Sequence, residues 1–197
     1  MKTGAVVLAA GKASRFGSPK QLLEFREETL IDRACRTARE AGCDPVLRVL
    51  GAHADAIRAR PYPEGAEGVA TLVHDGWEEG MGSSLAAGVS RLLESCPDLE
   101  ALFVLLADQP LATAGLLDEM RATLGSGTIV WCDHGETMGP PARFTREHCE
   151  ELSALQGDRG AKAVIARHDA AIVPFPDGAW DIDSPEAWER FLARNDG

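Results

Sequence analysis

The sequence has no CxxC pair, no long apolar run and no excess of basic charge, and each absence removes a class of protein. Its five cysteines, Cys35, Cys43, Cys96, Cys132 and Cys149, are an odd number, which argues against a disulfide framework or a structural zinc site. Reduced, mostly buried thiols in a cytosolic protein fit better. No run approaches the roughly 18 apolar residues of a membrane span. Met1-Lys2-Thr3-Gly4 leads straight into a strand-like segment, without the apolar stretch and small-residue cleavage site of a signal peptide. A soluble, cytoplasmic protein is expected. The formal net charge is −11, from 31 acidic and 20 basic side chains. Such a surface repels nucleic acid and anionic lipid, so neither is an expected partner. Against this background one stretch lacks acid altogether: Met1 to Leu23 holds Lys2, Lys12, Arg15 and Lys20 and no Asp or Glu. That implies a local anion site on an otherwise anionic protein.

What is present is enough for one compact domain. A chain of 197 residues, 45% of them hydrophobic, can bury roughly 70% of its unfolded surface in a single core. Gly4–Ala9 is apolar throughout and reads as a fully buried strand. Leu30–Ala41 carries Leu30, Ala34, Ala38 and Ala41 at helical spacing, with Gly42 as a stop. Strand Pro45–Leu50, a short helix near Ala54–Ala59 and strand Val69–His74 follow. Ser83–Leu93 reads as a helix, Ala101–Ala107 as the central strand, Ala114–Leu124 as a helix and Thr128–Cys132 as a strand. This alternation predicts a parallel sheet with helices on both faces. Beyond Cys132 the rhythm loosens. Gly139-Pro140-Pro141 is expected to break any regular element, and Arg146–Leu155 and Gly160–His168 read as two short helices. Ser184 is placed to cap a last helix with Pro185 in its first turn. Pro61–Gly68 is the most loop-like interior segment.

In such folds ligands sit beyond the carboxyl ends of the strands, and the chemistry-bearing residues follow the strands here. After strand one comes Leu8-Ala9-Ala10-Gly11-Lys12-Ala13-Ser14-Arg15-Phe16-Gly17-Ser18-Pro19-Lys20. Backbone N–H groups of a glycine-rich turn can cradle phosphate oxygens while Lys and Arg supply charge. The spacing excludes a Walker loop, since five residues separate Gly11 and Gly17 and Ser18 follows, and GxGxxG is absent. After the strand ending at His74 comes Gly80–Ser84, where Ser83 and Ser84 can contact ribose or base, cap the next helix, or both. After Ala107 comes Asp108-Gln109-Pro110. Asp108 can hold a metal at the sheet edge or serve as a turn aspartate. Asp183 is a second metal candidate or a helix-start residue, with Asp181 as the fallback. The five histidines show no metal spacing and read as surface or core residues, and the four tryptophans read as core or lid.

LAAGKASRFGSPK resembles the signature of the nucleotidyltransferases that include molybdenum cofactor cytidylyltransferase, the related guanylyltransferase and methylerythritol phosphate cytidylyltransferase. Gly11, Arg15, Gly17 and Lys20 match in spacing, with Phe16 where Met is common. Val49–His53, Trp77–Leu85, Asp108–Pro110, Leu155–Ala161 and Asp181–Pro185 are similar to further blocks of the molybdenum cofactor cytidylyltransferase branch. The chain departs from the family at His74-Asp75-Gly76, where Asn often precedes the Trp, and at Gly139-Pro140-Pro141, where Gly-His-Pro is common. The second departure lies on the acceptor side.

The resemblance implies a single-domain α/β protein with a three-layer, Rossmann-like nucleotidyltransferase fold and a mostly parallel sheet. It implies a nucleotide-binding half at about residues 1–112 and an acceptor half at about 113–197. The implied reaction transfers CMP from CTP to the terminal phosphate of molybdopterin, releasing pyrophosphate, with Mg²⁺ as cofactor and a molybdoenzyme as a possible recipient of the product. Implied nucleotide-binding residues are Leu8, Ala9, Ala10, Gly11, Lys12, Arg15, Lys20, Gly80, Ser83, Ser84 and Asp108. Lys20, Arg15 and Asp108 are the implied catalytic residues, and Asp108 and Asp183 the metal ligands. The alternatives are a cytidylyltransferase for another phosphorylated metabolite, such as a methylerythritol or sugar phosphate, and a non-catalytic accessory protein that binds the molybdenum cofactor. Retention of Lys20 with Asp108 speaks against the carrier, which has no need of both.

Overall fold

A computed structural model describes residues 1–60, 63, 68–123, 127–180 and 182–195. In chain order the strands are β1 (Thr3–Ala9), the two-residue pair β2 (Glu24–Phe25) and β3 (Glu28–Thr29), β4 (Val46–Leu50), β5 (Val69–Val73), β6 (Ala101–Leu106), β7 (Ile129–Asp133), β8 (Met138–Thr145) and β9 (Ala171–Pro174). The α-helices are α1 (Leu30–Glu40), α2 (Ala54–Arg58), α3 (Met81–Ser95), α4 (Ala114–Ala122), α5 (Cys149–Ser153), α6 (Lys162–Ile165) and α7 (Pro185–Asn195). Among the described residues no helix is long and apolar enough to cross a membrane.

Seven strands form one sheet in the order β5-β4-β1-β6-β8-β7-β9. β1 lies parallel between β4 and β6, which explains why all seven of its residues are buried and why it reads as continuously apolar. Only β8 is reversed, pairing antiparallel with both β6 and β7. The result is the single α/β domain with a mostly parallel sheet that the sequence pattern implies.

Alternation along the strands assigns side chains to two faces. Ala5, Val7, Phe103 and Leu105 face α1 and α4 in one core. Val6, Leu8, Leu102 and Val104 meet α3, α5 and α6 in the other. α1 starts where Thr29 accepts a hydrogen bond from the Asp32 N–H at 3.3 Å, and the chain leaves it through Gly42 at φ +73°. A third cluster joins the β2–β3 hairpin to α7 through Phe25, Leu30, Ile182 and Phe191, with Phe16 packed against it.

Three sequence expectations are corrected. Gly139-Pro140-Pro141 lies inside β8: the β7–β8 ladder passes from Cys132–Gly139 to Trp131–Ala142 with a register shift, so the prolines sit where the ladder is already interrupted. α3 begins at Met81 with Gly80 at its N-cap and no side-chain cap, so Ser83 and Ser84 lie within its first turn. The helix expected over Gly160–His168 is a single turn, Lys162–Ile165. At the last helix Ser184 does cap, its hydroxyl accepting from the Ala187 N–H at 3.3 Å. Pro61–Gly68 falls largely outside the described residues, as does Asp181.

Candidate active site

At the carboxyl edge of β1 the chain turns into the loop spanning residues 10–19, and its backbone is held from three sides. The Gln21 amide donates to the carbonyls of Ala9 at 3.0 Å and Gly11 at 2.9 Å. The Ala52 N–H donates to the Ala10 carbonyl at 3.1 Å, and a His53 ring nitrogen lies 2.8 Å from the Lys12 carbonyl. Ala13 at φ 48° and Gly17 at φ 68° supply left-handed turns. The loop is therefore braced, and its two cations, Lys12 and Arg15, are exposed along it.

Lys20 sits in the short 3-10 turn that closes the loop. Its ammonium lies 2.7 Å from Asp108 Oδ2 and 2.7 Å from Asp183 Oδ1. Asp108 follows β6, while Asp183 comes from the far end of the chain, carried there because its neighbour Ile182 is anchored in the third cluster. Arg15, largely exposed, reaches the other Asp183 oxygen at 3.5 Å. Burial alone would lower the Lys20 pKa, but the charges and hydrogen bonds of Asp108 and Asp183 outweigh it and raise the value. Lys20 is thus a fully charged, positioned cation between two carboxylates.

These groups line one cavity of about 630 Å³, within the range of small-molecule sites. Of the residues named from sequence, Leu8, Ala9, Ala10, Gly11, Lys12 and Arg15 line it, as do Lys20, Gly80, Ser84, Asp108 and Asp183. Ser83 is the exception. It is absent from the lining, and its hydroxyl donates to the Gly76 carbonyl at 3.3 Å and lies 2.6 Å from His74 Nε2.

Sequence reasoning missed Gln21, whose brace role arises only when the loop folds back over it, and left Asp158, within a block similar to the family's, without a site role. It also left Trp77 as core or lid, whereas Trp77 lines the cavity together with Glu78 and Asp158. The Gly157–Gly160 turn packs under the start of α3, where the Gly157 carbonyl accepts from the Gly82 N–H at 2.8 Å. A Cβ on Gly82 would fall 2.8 Å from that same oxygen, so glycine permits the contact. That turn carries Asp158 into the cavity lining, where Asp183 also lies.

Of the histidines read as surface or core residues, His148 is buried and His168 exposed, and both are gathered around Glu151 with candidate ligand atoms within 4.8 Å of one another.

A mostly parallel α/β sheet with a braced cationic loop after its first strand and a Lys–Asp–Asp cluster at its edge defines a phosphate-handling protein of the nucleotidyltransferase type. The chain belongs to the MobA-like NTP transferase domain family, whose model matches residues 5–172. It is 40% identical over 202 residues to the nicotine blue oxidoreductase of Paenarthrobacter nicotinovorans, covering 95% of each chain. It is 30% identical over 170 residues to a probable molybdenum cofactor guanylyltransferase of Opitutus terrae, covering 85% of this chain and 77% of that one. Its fold superposes on Rv0371c from Mycobacterium tuberculosis with a TM-score of 0.84 at 29% identity over 98% of both chains. A structure of that protein in complex with manganese gives a TM-score of 0.80 at 27% identity.

Proposed function

We propose that this protein transfers CMP from CTP to the terminal phosphate of a molybdopterin-type acceptor in the cytoplasm, releasing pyrophosphate. The observation that carries the reading is the Lys20 ammonium held 2.7 Å from both Asp108 and Asp183 at the mouth of the braced cationic loop. The acceptor's phosphate oxygen attacks the α-phosphorus of CTP, a bond forms there, and the bond to the β-phosphate oxygen breaks. Such a transfer needs positioning and charge neutralisation and no covalent enzyme intermediate. Lys12 and Arg15 hold the β- and γ-phosphates. Lys20 neutralises charge on the α-phosphate as it becomes five-coordinate, the incoming phosphates competing with the two carboxylates for its ammonium. Residues from about 113 onward bind the acceptor, while Asp158 and Asp183 reach back to the nucleotide.

A divalent ion fits the donor set. Asp108 and Asp183 direct carboxylate oxygens at one point, where the Lys20 ammonium now stands as a cation, and hard oxygen donors of this kind suit magnesium. When bound, magnesium would supply further charge neutralisation on the phosphates. The preference for CTP rests on Ala10, buried at 7% exposure on the cavity wall where strand one becomes the loop. The product passes to a molybdoenzyme.

The deciding experiment measures pyrophosphate release with each of the four nucleoside triphosphates, crossed with molybdopterin and several phosphorylated metabolites. Release with CTP and molybdopterin alone is expected. Release with a methylerythritol or sugar phosphate instead would move the acceptor, and no release with any pair would sink the transferase reading. A second reading is favoured by the relative named for nicotine blue oxidation and reduction, which spans the chain at 40% identity. Bleaching of nicotine blue by a reduced nicotinamide in the presence of this protein, without pyrophosphate release, would select it.

A further inference from the structure

A second cluster of ligand-type side chains lies apart from the proposed catalytic cavity, and none of its members lines that cavity. His148 and Glu151 stand one turn apart where β8 passes into α5, and His168 follows α6. His168 Nε2 lies 2.6 Å from Glu151 Oε1, and His148 Nδ1 lies 3.7 Å from the same oxygen. With bonds of about 2.0–2.1 Å, neighbouring ligand atoms around a tetrahedral zinc ion are roughly 3.3 Å apart. The two separations bracket that spacing, and all three ligand atoms lie within 4.8 Å of one another, so the half-exposed His168 ring is the group that must shift to admit an ion.

The outer contacts are those that orient ligands. His148 is buried at 4% exposure, and its Nε2 lies 2.7 Å from Thr128 Oγ1, which fixes the ring with Nδ1 toward Glu151. Arg167 holds Glu151 through Oε2 at 2.8 Å and leaves Oε1 toward the two rings. Metal-ligating histidines and carboxylates characteristically carry such partners on their other atoms.

We propose that His148 Nδ1, Glu151 Oε1 and His168 Nε2 form a binding site for one zinc-class divalent cation, distinct from the phosphate-side metal position. Two imidazoles select a borderline ion over magnesium or calcium, which take oxygen donors. The ion ties α5 to the turn after α6. It thereby closes the intervening chain, including the Gly157–Gly160 turn packed under Gly82, at both of its ends.

The test titrates the metal-stripped, full-length chain with Zn²⁺ in the presence of excess magnesium. Magnesium fills oxygen-donor sites and competes poorly for imidazole. One zinc per chain is expected, with the ring nitrogen resonances of His148 and His168, and no other histidines, shifting on binding. Zinc should also raise the melting temperature of the parent. His168→Ala alters a half-exposed turn residue, and it should weaken zinc binding by at least about tenfold and abolish the melting shift. Glu151→Gln should weaken it as well while leaving the far-ultraviolet spectrum unchanged. Absence of saturable zinc binding by the parent, or binding that is unaltered in both variants, would overturn the site. So would zinc-induced shifts confined to other histidines.

Discussion

Lys20 is where charge, burial and position coincide. Only 14% of its side chain is exposed, and both of its partners are carboxylates that would be left facing each other without it. In the transferase reading, Lys20→Ala removes the group that meets charge on the α-phosphate. Losing such a group costs on the order of 10²–10³ in rate. Turnover is expected to fall by that factor while the fold, followed by circular dichroism, persists, and a rate within a few-fold of the parent would remove Lys20 from the mechanism. Asp108→Asn keeps the size of the side chain and removes its charge. The magnesium concentration needed for half-maximal activity should rise steeply, and superimposable magnesium titrations of parent and variant would remove Asp108 from the metal site. Ala10→Gly bears on base choice. One methyl group in a pocket discriminates by about 1–3 kcal/mol, so the ratio of kcat/KM for CTP over GTP should shrink without reversing. At this scale the sequence was informative about placement wherever a residue follows a strand end, as with Lys20, Asp108 and the loop cations, all of which line the same cavity. It was silent on Gln21, because an amide reaching back to Ala9 and Gly11 leaves no local pattern. Asp158 fell within a block similar to the family's, but nothing in the sequence assigned it a place in the site, because that carboxylate enters the cavity only through the packing of a distant turn on α3.

At the scale of elements, glycine separates residues that shape the fold from those that shape the site. Gly80 has φ +119°, and a Cβ there would run into Gly157 at 2.6 Å and into the Asp158 carboxylate. Gly11 has a conventional φ and nothing within 4 Å of its would-be Cβ. Gly80→Ala should therefore lower stability by more than about 1 kcal/mol, through backbone strain and displacement of the Gly157–Gly160 turn. Gly11→Ala should leave the denaturation midpoint unchanged and raise KM for the nucleotide, because its added methyl stands only in the way of a ligand approaching the loop. Equal midpoints for all three proteins, or an unchanged KM in Gly11→Ala, would contradict these assignments. β1, β4, β6, α1, α3 and α4 were legible because each is a buried strand or a one-sided helix. β8 was not, since a Gly-Pro-Pro run argues against a strand unless the partner ladder is already shifted at that point. That shift is a property of the pair and not of either strand. β9 and the β2–β3 hairpin are too short to carry a period of their own.

For the whole molecule, the buried thiols set how stability depends on pH. All five cysteines are buried and free. Burial pushes the Cys35 and Cys132 thiols from an ordinary 9.0 up to about 12, and the Cys43 thiol to about 11. In the unfolded chain these groups ionise near 9, whereas in the folded chain they stay neutral to about 11 or 12. Between those limits the folded state binds more protons, so stability must fall as pH rises, by up to about 1.4 kcal/mol per pH unit for each thiol. Lys20 acts in the same direction at higher pH. Its folded pKa is raised, so the contribution of its ion pairs is complete below the ordinary lysine value and is lost as pH rises through the folded one. The net charge, already −11 at pH 7, adds general repulsion at alkaline pH, and a variant is needed to separate the causes. The urea midpoint of the parent should be flat from pH 7 to about 8.5 and decline beyond it. Cys35→Ala removes one ionisable thiol and leaves a small cavity. It should be less stable than the parent at pH 7, yet lose stability less steeply above pH 9. In the native protein at pH 8 none of the five thiols should react with a thiol reagent except at the rate of unfolding, and in urea all five should react at once. Parallel pH profiles for parent and variant would assign the alkaline loss to net charge, and rapid labelling of native Cys35 would show that its burial does not hold in solution.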